Sequence, residues 1–209
     1  MLDDSQGRKR RDRDTTQALL LEAAERLFVR KGFDGARIDE VAGLADVNKR
    51  MIYAYFKDKV GLWHEVLEHC LARLVDATRG ELDPNADARE QATQVIRRYV
   101  DFLAVNPGIV RLLAWESLND GRRPGPRVDD ALARGLEDLH GILKRGVERG
   151  TFRADLDPQL IVLGIVHLCS GWFRGRLGAS LFGEDPTRPG RTKQFREHAV
   201  RMILDGISA

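Results

Sequence analysis

The chain reads as an all-α protein, with a small helix-turn-helix unit near its start and a larger helical body after it. Three observations predict this. Apolar residues recur at helical spacing along most of the 209 residues, and no stretch alternates apolar and polar residues for more than three or four positions. Two short helical segments, Arg37–Leu44 and Asn48–Tyr55, stand too close together for anything but a tight turn. The chain's formal net charge is +2, and the whole excess falls in residues 1–60, with 13 Lys/Arg against 11 Asp/Glu.

The elements follow in order. Arg8, Lys9, Arg10, Arg11 and Arg13 face only Asp12 within the run 8–13. Residues 1–14 therefore read as a flexible basic arm that can follow a phosphate backbone, or as a solubilising tail. Thr15 or Thr16 can cap a first helix whose apolar face is Leu20, Ala23, Ala24, Leu27 and Phe28. Gly32 is expected to stop it and Phe33 to fold back. Ile38, Val41, Ala42 and Ala45 mark the second helix. Asn48 is a cap for the third, where Ile52 and Phe56 stand one turn apart and Asp58 precedes a fourth. Later helices are expected at 91–105, 109–118, 128–148, 158–177 and 191–207, with 178–190 a Gly/Pro loop, for about nine in all. Asp157-Pro158 has the order of a capping Asp followed by a first-position Pro.

Composition excludes several classes. Cys70 and Cys169 are far apart in apolar helical contexts, which suits reduced thiols rather than a disulfide framework or a metal site. The first residues lack an apolar run, and the longest uncharged stretch, 159–173, is too short to span a bilayer. A cytoplasmic protein without membrane partners is expected. No HExxH, nucleophile elbow, phosphate-binding loop or dinucleotide fingerprint occurs, so neither an enzyme nor a bound cofactor or metal is expected.

The third helix carries the chemistry. Its first turn presents Lys49, Arg50 and Met51, the part of a recognition helix that enters the major groove. Lysine and arginine donate to guanine O6 and N7, and a methionine can touch a thymine methyl. Tyr53, Tyr55 and Lys59 suit phosphate contact, and Arg37 opens the preceding helix, whose terminal amides can hold a phosphate. A generic helical hairpin with a basic face is the bland reading of the same pattern.

The stretch from Gly32-Phe33 through Ile38–Leu62, ending in Tyr53, Phe56, Lys59 and Leu62 at Tyr-x-x-Phe-x-x-Lys-x-x-Leu spacing, resembles the N-terminal signature of the TetR family. The motif covers about residues 15–62. The resemblance implies a reader in 15–60 and a ligand-binding and dimerisation domain in 61–209. It places Lys49, Arg50 and Met51 at bases, and Tyr53, Tyr55 and Lys59 at the backbone. Asp46 stands where a turn glycine is usual, Asn48 where serine is usual, and Ala36-Arg37 where two threonines are frequent.

The resemblance further implies a homodimer through the last two long helices, double-stranded DNA with a palindromic operator as partner, and a small-molecule effector. Candidate pocket residues are Tyr99, Phe102, Trp115, Asn119, His140, His167 and Trp172, with Glu116 and Cys169 nearby in the pattern. A histidine on an apolar helix is as readily a hydrogen-bonded structural group. Ligand-relieved repression is the family's commoner mode; an activator, or a helical interaction module, is the alternative.

Overall fold

A computed structural model describes residues 4–79, 86–118, 126–174 and 176–209. Ten helices lie among them: α1 (Asp4–Gly35), α2 (Ile38–Ala45), α3 (Lys49–Phe56), α4 (Lys59–Arg79), α5 (Ala88–Val105), α6 (Pro107–Ser117), α7 (Pro126–Glu148), α8 (Pro158–Trp172), α9 (Arg176–Phe182) and α10 (Pro189–Ile207). The protein is all-α, as its periodicity predicts. No helix among the described residues is long and apolar enough to cross a membrane.

The chain divides into two compact units, one from residues 1–70 and 111–128, the other from 71–110 and 129–209. Three helices, α4, α6 and α7, therefore contribute to both.

In the first unit, Leu20, Ala24 and Phe28 are wholly buried on α1, with Ala23 and Leu27 beside them, the face the spacing predicts. They meet Val41 and Ala42 of α2, Ile52 and Phe56 of α3, and Leu62, Trp63, Val66 and Leu67 of α4 in one core. Gly32 breaks the helical path of α1 with φ 70° and ψ −179°, a conformation open to glycine. The break lets Phe33 stack on Phe28, with centroids 6.2 Å apart, while Trp63 meets both rings edge-on. A Cβ on Gly32 would come within 3.0 Å of the Trp115 ring.

Three expectations change. Helix α1 does not begin at a threonine cap: it runs back through Thr15 and Thr16 to Asp4. The intervening Gln, Arg and Lys residues are good helix formers, with no proline to stop them. Gly32 does break the helix as expected, and a short helical piece of three residues follows the kink. Part of the loop expected over 178–190 is the separate helix α9, and α8 stops at Trp172 rather than near Leu177. Gly178 sits against Pro186, where a Cβ would be 2.7 Å from the proline ring. Close packing there holds a glycine in helix despite its low propensity.

The second unit is built from amphipathic helices with side-chain caps. Asp87 accepts from the Glu90 amide at 2.7 Å and opens α5, and Asp157 accepts from the Gln159 amide at 2.8 Å to open α8, with Pro158 in its first position. Residues Val95, Ile96, Val100 and Leu103 of α5 share a core with Leu139, Ile142 and Leu143 of α7, Val162 and Ile165 of α8, and Ala199, Val200 and Leu204 of α10. A single bridge between Phe152 and Ser208 ties the chain's end to the turn after α7.

Candidate nucleic-acid interface

The turn between α2 and α3 has the compactness that a groove-reading helix pair needs. Asp46 occupies the left-handed region (φ 53°, ψ 41°), the conformation expected where a glycine is more usual. Its position lets the Val47 amide reach back to the Ala42 carbonyl at 3.0 Å. Asn48 then caps α3, its side-chain oxygen accepting from the Arg50 amide at 2.9 Å. At the far end Lys57 closes the helix with φ 70°, its amide donating to the Tyr53 carbonyl. Asp58 caps α4 through the Gly61 amide at 2.7 Å. At Gly61 a Cβ would lie 2.0 Å from the Phe56 carbonyl oxygen, so only glycine fits that junction.

Helix α3 thus has two opposed faces. Ile52 and Phe56 are buried in the core, one turn apart. Lys49 and Arg50 are exposed on its first turn, Met51 is half-buried, and Tyr53 is 52% exposed. The Lys49 ammonium lies 3.0 Å from Asp39 of α2, and that bond raises the lysine above the usual ammonium range. Arg50 makes no ion pair among the described residues. Tyr55 is half-buried, with the Arg13 guanidinium 5.4 Å above its ring. This contact ties α1 to the recognition helix.

Arg37 is the N-cap of α2 rather than its first residue, and it is exposed. The Glu40 carboxylate accepts from the Arg37 amide at 3.3 Å and from Lys31 at 2.7 Å. Its hydrogen bond to Lys31, more than that to the Arg37 backbone, holds it below the usual carboxylate range. Lys59 is half-buried, its ammonium 4.6 Å over the Phe33 ring and 3.5 Å from the Asp34 carbonyl.

Sequence reasoning missed Asp39 and assigned Arg13 only to the basic arm; both touch residues it did select. Neither contact shows in a hydrophobic period, because each joins different helices across a turn. It also missed the anchoring of Trp63, whose Nε1 donates to Glu116 Oε2 at 2.7 Å inside the first unit.

The seven candidate pocket residues fall in different parts of the chain. Trp115 belongs to the first unit, against Gly32, and Asn119 lies outside the described residues. In the second unit, His140 lines an open groove of about 510 Å³ with Asp130, Arg134 and Glu137 of α7 and Gln159 and Val162 of α8. Tyr99 and Phe102 are half-buried on α5. Burial raises the Tyr99 phenol above its ordinary range and pushes the Cys169 thiol up to about 12. His167 is exposed, with Nδ1 2.8 Å from the Leu163 carbonyl. Trp172 stacks on Phe195 at 4.3 Å, its indole nitrogen buried with no hydrogen-bond partner among the described residues.

Two family patterns match the chain. Residues 20–66 match the bacterial regulatory proteins of the tetR family, and residues 89–203 match the tetracyclin repressor-like C-terminal domain. The chain belongs to the TetR family. Its TetR-family relatives include the HTH-type transcriptional repressor NicS of Pseudomonas putida, 32% identical over 158 residues that span 75% of this chain and 74% of that one. The HTH-type transcriptional repressor SCO4008 of Streptomyces coelicolor is 32% identical over 162 residues, 78% of this chain and 80% of that one. A solved TetR family regulator from Marinobacter aquaeolei superimposes with a TM-score of 0.77 over 96% of this chain and 98% of its own, at 18% identity. The protein is a DNA-binding helix-turn-helix regulator of the TetR family.

Proposed function

We propose that this regulator is a ligand-responsive repressor that binds a palindromic operator as a homodimer in the cytoplasm. The observation that carries the reading is the outward, cationic first turn of α3 on a helix locked inward by Ile52 and Phe56. Lys49, Arg50 and Met51 read base edges, while Tyr53, Tyr55, Lys59 and the Arg37 end of α2, with Asn48 holding the turn, position the backbone. Residues 15–60 form the reader, the basic stretch 1–14 adds charge, and 61–209 carry dimerisation and effector binding.

The dimer surface is supported by one face of α8. Leu160, Leu163, Gly164, His167 and Gly171 follow helical spacing and all are exposed, Leu160 at 67%. Met202 of α10 is exposed as well. By contrast Phe173, Ala199 and Ile207 are buried within the chain. Two α3 helices about 34 Å apart would enter successive major grooves of one operator. An effector in the second unit that prefers another spacing would release the DNA, with α4 as the continuous link. The repressor assignment rests on likeness to the two relatives at 32% identity, both transcriptional repressors.

Selection of bound fragments from a random DNA pool tests the proposal. Recovery of a palindrome with one-turn half-site spacing is expected, together with its loss in Lys49→Ala/Tyr53→Ala. Pool recovery without any shared motif refutes the reading.

A further inference from the structure

The ion pair between Lys49 and Asp39 joins the first turn of α3 to the first turn of α2 on the exposed side of the reader. Both side chains are well open to solvent, 60% and 75%. Asp39 is not needed to cap α2, because the neighbouring Glu40 takes the Arg37 amide and Lys31. An exposed pair of this kind contributes at most about 1 kcal/mol to stability. A carboxylate beside a recognition lysine also repels phosphate. Its presence on a DNA-reading surface therefore calls for another role.

The chemistry of the pair supplies one. A lysine ammonium has three donors, and one is occupied by Asp39 Oδ1. The second carboxylate oxygen makes no contact among the described residues. The pair therefore offers two donors and then an acceptor, side by side. In the major groove a G·C pair presents two acceptors, guanine N7 and O6, followed by the cytosine N4 donor. An A·T pair presents acceptor, donor, acceptor and a methyl group, which does not match that order.

We propose that Asp39 is a specificity-determining residue: with Lys49 it reads one G·C pair in each half-site, and it keeps Lys49 from gripping phosphate without regard to sequence. The inference rests on the DNA-reading role proposed above.

The experiment compares wild type, Asp39→Ala and Lys49→Ala by selection from a random DNA pool and by the salt dependence of binding to non-cognate duplex. Asp39→Ala is expected to lose about tenfold in G·C preference at one position per half-site, within the range for a single base contact. Its non-cognate binding should tighten, with the log–log salt slope steeper by about 0.9, one more phosphate held. Lys49→Ala should lose the same base preference without that steepening. A wild-type motif retained unchanged by Asp39→Ala, with the same slope, overturns this inference alone. A wild type that selects no motif overturns the DNA-reading role and this inference with it.

Discussion

Replacing Trp63 by phenylalanine should destabilise the first unit far more than the loss of a few ring atoms suggests. Trp63 is wholly buried, and among the described residues its Nε1 supplies the one hydrogen bond of the Glu116 side chain, whose other oxygen is buried with no partner there. Phenylalanine has no donor, so the carboxyl group is left inside the core with both oxygens unpaired. A buried acceptor left without its donor costs about 1–3 kcal/mol. The space vacated by the indole adds about 1–2 kcal/mol, a fraction of a full Trp→Ala cavity. The edge-on contacts of the ring with Phe28 and Phe33 survive in part. The expected total is about 2–5 kcal/mol, a fall in Tm of about 4–20 °C for a chain of this size. Urea and thermal unfolding followed by far-ultraviolet circular dichroism measure it. The companion Trp63→Phe/Glu116→Leu removes both polar partners and should recover about 2 kcal/mol relative to the sum of the single changes. A Trp63→Phe cost below about 1 kcal/mol, or strictly additive single changes, would refute the reasoning that the carboxyl group depends on this donor.

Asn48→Ala removes the acceptor for the Arg50 amide and should cost about 0.5–2 kcal/mol, whereas Asn48→Ser should restore most of it. Hydrogen exchange at the Arg50 amide is the direct readout, since a cap loss frays α3 before it unfolds the core. Cys169 should resist alkylation at pH 8 in the native protein, because burial has pushed its thiol up to about 12 and leaves little thiolate. The raised value favours folding below the thiol's unfolded range, and this contribution is lost as pH rises toward 12; mass spectrometry of iodoacetamide-treated protein, native against urea-unfolded, follows the labelling.

The reader was legible because each of its parts is specified locally. Apolar spacing marks the buried sides of α1 and α3, an asparagine supplies the cap, and an aspartate tolerates the left-handed turn. Features that depend on distant residues were not legible. Helix α9 lies in a segment rich in glycine and proline, and its Gly178 is held against Pro186 by folding rather than by propensity. The basic stretch before Thr15 looks like an arm because charge gives no apolar period, yet its backbone continues α1. The seven pocket candidates were chosen as aromatic or polar residues on apolar helices. That pattern identifies a buried side of a helix but not its partner: Trp172 faces Phe195, and Trp115 faces Gly32 in the other unit.

The same division explains what the DNA-reading surface leaves open. Several cations around α3 already have company: Lys31 has Glu40, Lys49 has Asp39, Arg13 lies over Tyr55, and Lys59 lies over Phe33. Each such contact orients a side chain and reduces its freedom to drift along phosphates. Non-specific affinity grows with the number of phosphates neutralised, so a reader whose cations are engaged holds random DNA weakly. Useful affinity then requires two readers on one duplex, where the second contact is intramolecular and gains from effective concentration. In the proposed dimer, DNA binding would depend on the separation of two copies more than on the charge of either one. An effector acting on spacing alone could then control it.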